Sequence, residues 1–190
     1  MEARRLALRA AELGKDDPVA LYSAGFTLAY LIGDLDRGAA LTERALALDP
    51  NLATAWTYSA LIQVYLGRPD AAIEHANRAL RLSPLDAFTQ HVGRSAIAQA
   101  HFIAGRYEVA AAWAEKMLLE YPDYQAALRV GAAAYALLDR IDDASRLVAR
   151  LRALYPRLTV GAVPELMPLR RPADLAAYLQ GLRRAGLPEK

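Results

Sequence analysis

Apolar residues recur at helical spacing along this chain, and the runs they form are cut at regular intervals by Gly/Asp-rich punctuation and by proline. The punctuation reads GDLD at 33–36, GRPD at 67–70, GRYE at 105–108 and DRID at 139–142. Each start is followed 17 positions later by a proline, at Pro50, Pro84, Pro122 and Pro156, and the starts lie 34, 38 and 34 residues apart. A constant offset between turn and helix stop predicts an all-α solenoid of antiparallel helix pairs, with units at 19–50, 53–84, 87–122 and 125–156. Residues 3–13 alternate charge with leucine and alanine as a lone second helix, and GKDDP at 14–18 forms a turn, so 1–18 is half a unit. A solenoid opening on half a unit points to a piece of a longer polypeptide. Beyond 156 the pattern breaks at LTV (158–160) and PELMPLRRP (164–172), and 173–185 form one more amphipathic helix before Gly186 and Pro188. Residues 157–190 are therefore expected to be a linker and a C-terminal capping helix.

The second unit shows what the spacing is for. With Ala53 as position 1, Trp56 falls at 4, Ala60 at 8, Gly67 at 15, Ala72 at 20, Ala79 at 27 and Pro84 at 32. This arrangement resembles the tetratricopeptide repeat, and the resemblance implies a right-handed solenoid. A large aromatic fills the gap between helices, while small residues at 8, 20 and 27 let the two backbones approach. Gly67 supplies a left-handed residue at the end of the first helix, Asp70 is expected to cap the second, and Pro84 stops it. The third unit has Met117 at position 27 and four extra residues before Gly105, about one helical turn, which predicts a first helix lengthened to span roughly 87–104. In the fourth, Asp139 replaces the turn glycine, with Leu128, Ala132, Ala144 and Pro156 in place. The first fits worst, with Tyr22 at 4, Phe26 at 8 and Gly38 at 20, so its first helix is expected to be out of phase by one residue.

Composition adds little against this picture. The 55% hydrophobic content is swollen by alanine, the best helix former. There is no cysteine, hence no disulfide framework or thiol chemistry, and a cytoplasmic location is expected. The amino-terminal stretch has no apolar core run of a secretory signal, and nothing approaches the ~18 apolar residues of a membrane span. A net charge of +2 does not announce a nucleic-acid partner. Residues 140–190 carry ten Lys/Arg against five Asp/Glu, and the cluster Arg146, Arg150, Arg152 and Arg157 reads as a solvated face, since no aromatic platform accompanies it.

No catalytic, cofactor-binding or metal site is expected. His75, His91 and His101 lack HExxH spacing, Asp142 and Asp143 point about 100° apart at a helix start, and GDLDRG has neither the ligand ladder of an EF-hand nor the Gly-Lys-Ser/Thr of a phosphate loop. No serine sits in an elbow motif.

The strings RALRLSPLD at 78–86, AHFIAGRY at 100–107, LRRPADL at 169–175 and GLRRAGLPE at 181–189 resemble the carboxy-terminal tetratricopeptide region of bacterial class III adenylate/guanylate cyclases. The same kind of region follows winged-helix DNA-binding domains in some bacterial transcriptional regulators. The resemblance implies a noncatalytic regulatory arm that engages a protein or peptide segment, or an upstream domain of the same polypeptide. It also implies that first helices line a groove through repeat positions 2, 5, 6, 9, 12 and 13. These bring forward Tyr30; Thr57, Tyr58, Leu61, Val64 and Tyr65; Ser95, Gln99, Phe102 and Ile103; and Arg129 with Leu137. Such a groove is apolar and tyrosine-rich, suited to anchoring an amphipathic helix or extended segment. It lacks the lysine/asparagine carboxylate clamp of chaperone-tail binders, which disfavours an acidic C-terminal peptide. The alternatives are a free-standing adaptor and a homodimerisation device.

Overall fold

The computed structural model describes residues 2–189, and among them the chain is helical, with no strand. In chain order the helices are α1 (Glu2–Leu13), α2 (Pro18–Ile32), α3 (Leu35–Leu48), α4 (Ala53–Tyr65), α5 (Pro69–Leu82), α6 (Ala87–Ile103), α7 (Tyr107–Glu120), α8 (Gln125–Leu137), α9 (Ile141–Leu154), the one-turn α10 (Val163–Leu166) preceded by a 3-10 turn at Val160–Ala162, and α11 (Pro172–Arg184). The chain divides into two compact units, Met1–Ala96 and Ile97–Lys190.

Local chemistry sets these boundaries. The four punctuation turns each hold one left-handed residue, Gly33 (φ 76°), Gly67 (75°), Gly105 (73°) and Asp139 (60°). Asp139 is the only described non-glycine residue there, and Asp is among the side chains that tolerate that region best. The second helix of each pair starts two residues on, after N-caps Asp34, Arg68, Arg106 and Arg140, none of which makes a side-chain cap bond. Asp70 is thus not the cap of α5: it lies one residue inside, after Pro69 at N1, where its charge favours the helix dipole. Each second helix ends two residues before its proline, because the residue preceding proline is kept out of the helical region: Asp49, Ser83, Tyr121 and Tyr155 have φ of −136°, −135°, −129° and −130°. α2 has a true side-chain cap, Asp17 Oδ1 accepting from Val19 N–H at 2.8 Å.

In unit 1, glycine and alanine bring backbones into contact. A Cβ on Gly25 would lie 2.7 Å from the Gly38 carbonyl oxygen, and one on Gly38 would lie 2.6 Å from that of Gly25, so α2 and α3 cross with no room for a methyl. Gly25, one residue before Phe26, is the small residue of the α2 crossing, and this is the one-residue phase slip expected there. Between α4 and α5 the crossing is made by fully buried Ala60, Ala72, Ala76 and Ala79. Trp56 Nε1–H donates to the Pro50 carbonyl at 2.9 Å, its ring meets the His75 imidazole edge-on at 4.9 Å, and His75 Nδ1 is 2.9 Å from Ser59 Oγ. Burial lowers the His75 pKa, with Glu74 and Glu43 pulling it back up.

In unit 2, Gly131 of α8 lies beneath Ala114 of α7 and Leu147 of α9, and Ala110, Met117, Ala132, Ala144 and Leu151 are fully buried. α6 has 17 residues against 13 in α4 and α8, with the extra turn at its start.

Candidate protein interface

The partly exposed aromatic rings of unit 1 gather in one cluster. α2 carries Tyr22, Phe26 and Tyr30 at spacing four, a single stripe along one helix face. Tyr58 of α4 stacks on Tyr22 with centroids 5.5 Å apart and lies 4.3 Å from Phe26. Phe26 stacks on Tyr30 at 5.4 Å, Tyr30 reaches Tyr65 at 6.2 Å, and Phe88, from the first turn of α6, closes the cluster 5.8 Å from Tyr58. Offset ring pairs of this kind contribute about 0.5–1.5 kcal/mol each beyond their burial, so the rings hold one another in place. Burial, then the neighbouring Tyr22, raises the Tyr58 phenol above its ordinary pKa, keeping it a neutral hydrogen-bond donor.

The stripe is only half covered. Tyr22, Phe26, Tyr30 and Tyr58 are partly exposed and Phe88 is exposed, as are Val19 and Leu31 of the same α2. α2 contains no charged residue, and a helix apolar all round is ordinarily enclosed on all sides. α1 covers one side of it, where Ala7, Leu8 and Ala11 pack on Ala24, Leu28 and Ile32. The aromatic side remains open.

The groove residues named from sequence separate by burial. Tyr30 and Tyr58 belong to the open cluster, and Tyr65 lies beneath it at 4% exposure. Thr57 and Leu61 are buried, with the Thr57 hydroxyl donating to the Ala53 carbonyl at 3.0 Å. In unit 2, Gln99, Phe102 and Arg129 are buried as well. Tyr22, Phe26 and Phe88 were not among the groove residues expected from the sequence. The phase slip at Gly25 moves Tyr22 and Phe26 to repeat positions 5 and 9, and a search for glycine pairs able to form a backbone crossing would have found it.

Unit 2 buries the corresponding face of α8 under α11. A Cβ on Gly181 would lie 2.6 Å from the Ala133 carbonyl oxygen, so the two backbones touch. Tyr178, three residues earlier, is 1% exposed and sets its ring edge-on to Phe102 at 5.0 Å. The fit is apolar but not polar. Arg129 Nε and Nη1 and the Tyr178 hydroxyl have no hydrogen-bond partner, and burial raises the phenol pKa against the opposing charge of Arg129. The far end of α11 is pinned, with Val160 N–H donating to the Pro188 carbonyl at 2.8 Å, Arg183 paired with Glu189, and Arg184 with Asp139.

No group of three or more His, Cys, Asp or Glu could hold a metal ion among the described residues. Asp143 accepts from Arg140 at 2.7 Å and from Arg146, and these bonds hold its carboxyl below the usual range. Arg150 pairs with Asp123 at 2.9 Å, so part of the basic cluster is neutralised. No described helix is long and apolar enough to cross a membrane.

Comparison with known proteins bears on the fold. Neither a family model nor a curated protein matches the sequence. Solved structures do. The crystal structure of PilW, a widely conserved type IV pilus biogenesis factor, superposes with a TM-score of 0.71 at 16% identity, covering 94% of this chain and 78% of that one. YrrB, described as a TPR protein with an unusual peptide-binding site, gives 0.57 at 17% identity over 94% and 90%. MamA from MSR-1 gives 0.58 at 19% identity over 82% and 95%. At these identities the likeness concerns architecture, and with the turn and crossing geometry it places the chain in one structural class: an all-α solenoid of the tetratricopeptide type.

Proposed function

We propose that this chain is a noncatalytic protein-interaction module whose contact surface is the aromatic face of unit 1, built on Tyr22, Phe26, Tyr30, Tyr58 and Phe88. The observation that carries the proposal is a charge-free α2 whose aromatic side is left open while the side of Ala24, Leu28 and Ile32 is packed under α1. Aromatic side chains supply large contact area at small entropic cost, and the phenols add directional hydrogen bonds to a bound segment. Thr57, Leu61 and Tyr65 support this surface from beneath; Phe102 and Arg129, which lie against Tyr178, can meet a partner only when α11 leaves α8. The YrrB likeness favours a peptide ligand, since that protein of similar fold carries a peptide-binding site.

Selection of a displayed random-peptide library against the intact chain tests the proposal. Enriched peptides should lose at least ten-fold in affinity against Phe26→Ala and Tyr58→Ala variants that remain helical. Enrichment indifferent to both substitutions, or none at all, would sink it.

The regulatory-arm reading, in which a cyclase or winged-helix domain precedes this module in a cytoplasmic bacterial signalling protein, rests on the four strings quoted above. An in-frame effector domain upstream of Met1 in the source genome would support it, and its absence would leave a free-standing adaptor. Self-association through the same aromatic face is the competing use of this surface, and light scattering that shows a monomer across a concentration series would remove it.

A further inference from the structure

In unit 2, α11 has the form of a docked helix. It buries one face, made of Asp174, Tyr178, Gly181, Leu182 and Ala185 at i, i+4, i+7, i+8 and i+11. An amphipathic helix seats in a groove with this spacing. Its other side, with Ala173, Ala176, Gln180, Arg183 and Arg184, is exposed. Past its last turn it is fastened by two surface ion pairs, Arg183 with Glu189 and Arg184 with Asp139, and by the Val160–Pro188 backbone bond. Ion pairs of that kind are weak and screened by salt.

The contact with α8 is close in its apolar part and unmatched in its polar part. Gly181 meets the Ala133 backbone with no room for a methyl, yet Arg129 Nε and Nη1 and the Tyr178 hydroxyl are buried without a hydrogen-bond partner. In a fixed core such groups are paired in about 90% of cases or more. Arg129 is the sharper anomaly, because a guanidinium cannot shed its charge, and at 5% exposure it belongs to a class of residue almost never buried without a counter-charge. The α11 group that feels this charge is the neutral Tyr178 phenol. Asp174, one turn earlier, does not supply the missing charge: its Oδ1 accepts from Arg171 at 2.6 Å and its Oδ2 has no partner.

We propose that α11 occupies a helix-binding groove of unit 2 in cis, and that the groove's matched partner is an amphipathic helix with a glutamate where α11 places Tyr178 and a glycine three residues later. The glutamate pairs with Arg129, which the phenol leaves unpaired; the glycine repeats the close approach to Ala133; and α11 is displaced. Unit 2 then has two states, closed by its own helix or holding an acidic one. This groove is separate from the aromatic face of unit 1, so the two readings fail independently.

The test is a titration of the ¹⁵N-labelled full chain with two blocked peptides of residues 170–187, an acidic one carrying Tyr178→Glu and a neutral one of the same shape carrying Tyr178→Gln. The acidic peptide should give a saturable shift of the Arg129 and Ala133 amides, with the chain's own Tyr178 and Gly181 amides moving to the positions of a released segment. It should bind at least about ten-fold more tightly than the neutral peptide, since a charge-assisted bond replaces an unpaired donor, and Arg129→Met should abolish that preference. Leu182→Ala in the chain weakens the resident helix and should tighten the acidic peptide about five-fold or more, because a larger fraction of the groove is then free. No saturable shift, a shift that leaves the α11 amides in place, equal affinity of the two peptides, or a preference that survives Arg129→Met overturns the proposal. So does an affinity unchanged by Leu182→Ala; should that chain fail to fold, the Arg129→Met comparison decides alone.

Discussion

The α2–α4 face of unit 1 and the α8 face of unit 2 draw on corresponding positions of the repeat, yet one displays its side chains and the other is roofed by a helix. The difference lies less in the faces than in what reaches them. Tyr22, Phe26, Tyr30 and Tyr58 offer ring faces as Phe102 does, but only Phe102 and Ala133 receive a helix with a glycine at the contact point, Gly181, which lets two backbones meet. A face of this repeat is thus closed by one well-placed small residue on a distant segment.

The largest way to break the comparison is to undo the roof. Gly181→Leu forces a side chain into the Ala133 backbone, and overpacking of this kind should destabilise unit 2 by about 3 kcal/mol. Hydrogen exchange should show α8 and α11 amides losing protection while α2 and α3 amides keep theirs; uniform loss, or none, would mean that α11 is not held by this contact. A second change sharpens the comparison from beneath. Arg129 is a buried cation with two unpaired donors, so Arg129→Met, similar in volume and free of charge, should raise the stability of unit 2 by about 2 kcal/mol in urea melts. A loss instead would show that the guanidinium is satisfied.

Smaller effects are expected on the open side. Tyr58→Ala removes ring contacts with Tyr22, Phe26 and Phe88 and should cost about 1 kcal/mol in the same melts, because a half-exposed ring has less to lose than a core one. The least effect concerns pH. Because burial lowers the His75 pKa, the unfolded chain takes up a proton near pH 6.5 and the folded chain only at lower pH, so this contribution to stability is complete above that value and is lost as pH falls through it. Melting temperatures of the native chain should therefore fall further between pH 8 and pH 5 than those of His75→Gln, and parallel curves would refute the assignment.

The helix pairs were legible because their stops are local. A proline constrains the residue before it and a left-handed turn wants glycine or aspartate, so Pro50 through Pro156 and even the Asp139 substitution could be read without knowing any contact. The lengthened α6 followed from counting alone. The interface was less legible for two physical reasons. One extra residue between Gly25 and Gly33, compared with Ala60 to Gly67, rotates a side chain through 100°, and it moved Tyr22 and Phe26 out of the expected groove. The burial of Phe102 and Arg129 depends on Tyr178 and its neighbours, dozens of residues away, and no local pattern announces such a contact. Asp70 was misplaced as a cap because an acid in the first turn and an acid at the cap look alike in sequence, differing by two positions and one proline.

The additional turn of α6 has an evolutionary consequence. Residues 87–90 form the first turn of that helix, and they bring Phe88 to the aromatic cluster while Gln90 Nε2–H donates to the Ser83 carbonyl at 3.1 Å. The downstream residues keep their crossings, with Ala98 and Ala110 fully buried. Insertion or deletion of whole turns at a helix start is therefore a form of variation that can enlarge or trim the displayed surface while sparing the scaffold. Lineages of such proteins could diverge in what they recognise through length polymorphism at this one junction, with selection on the core left unchanged.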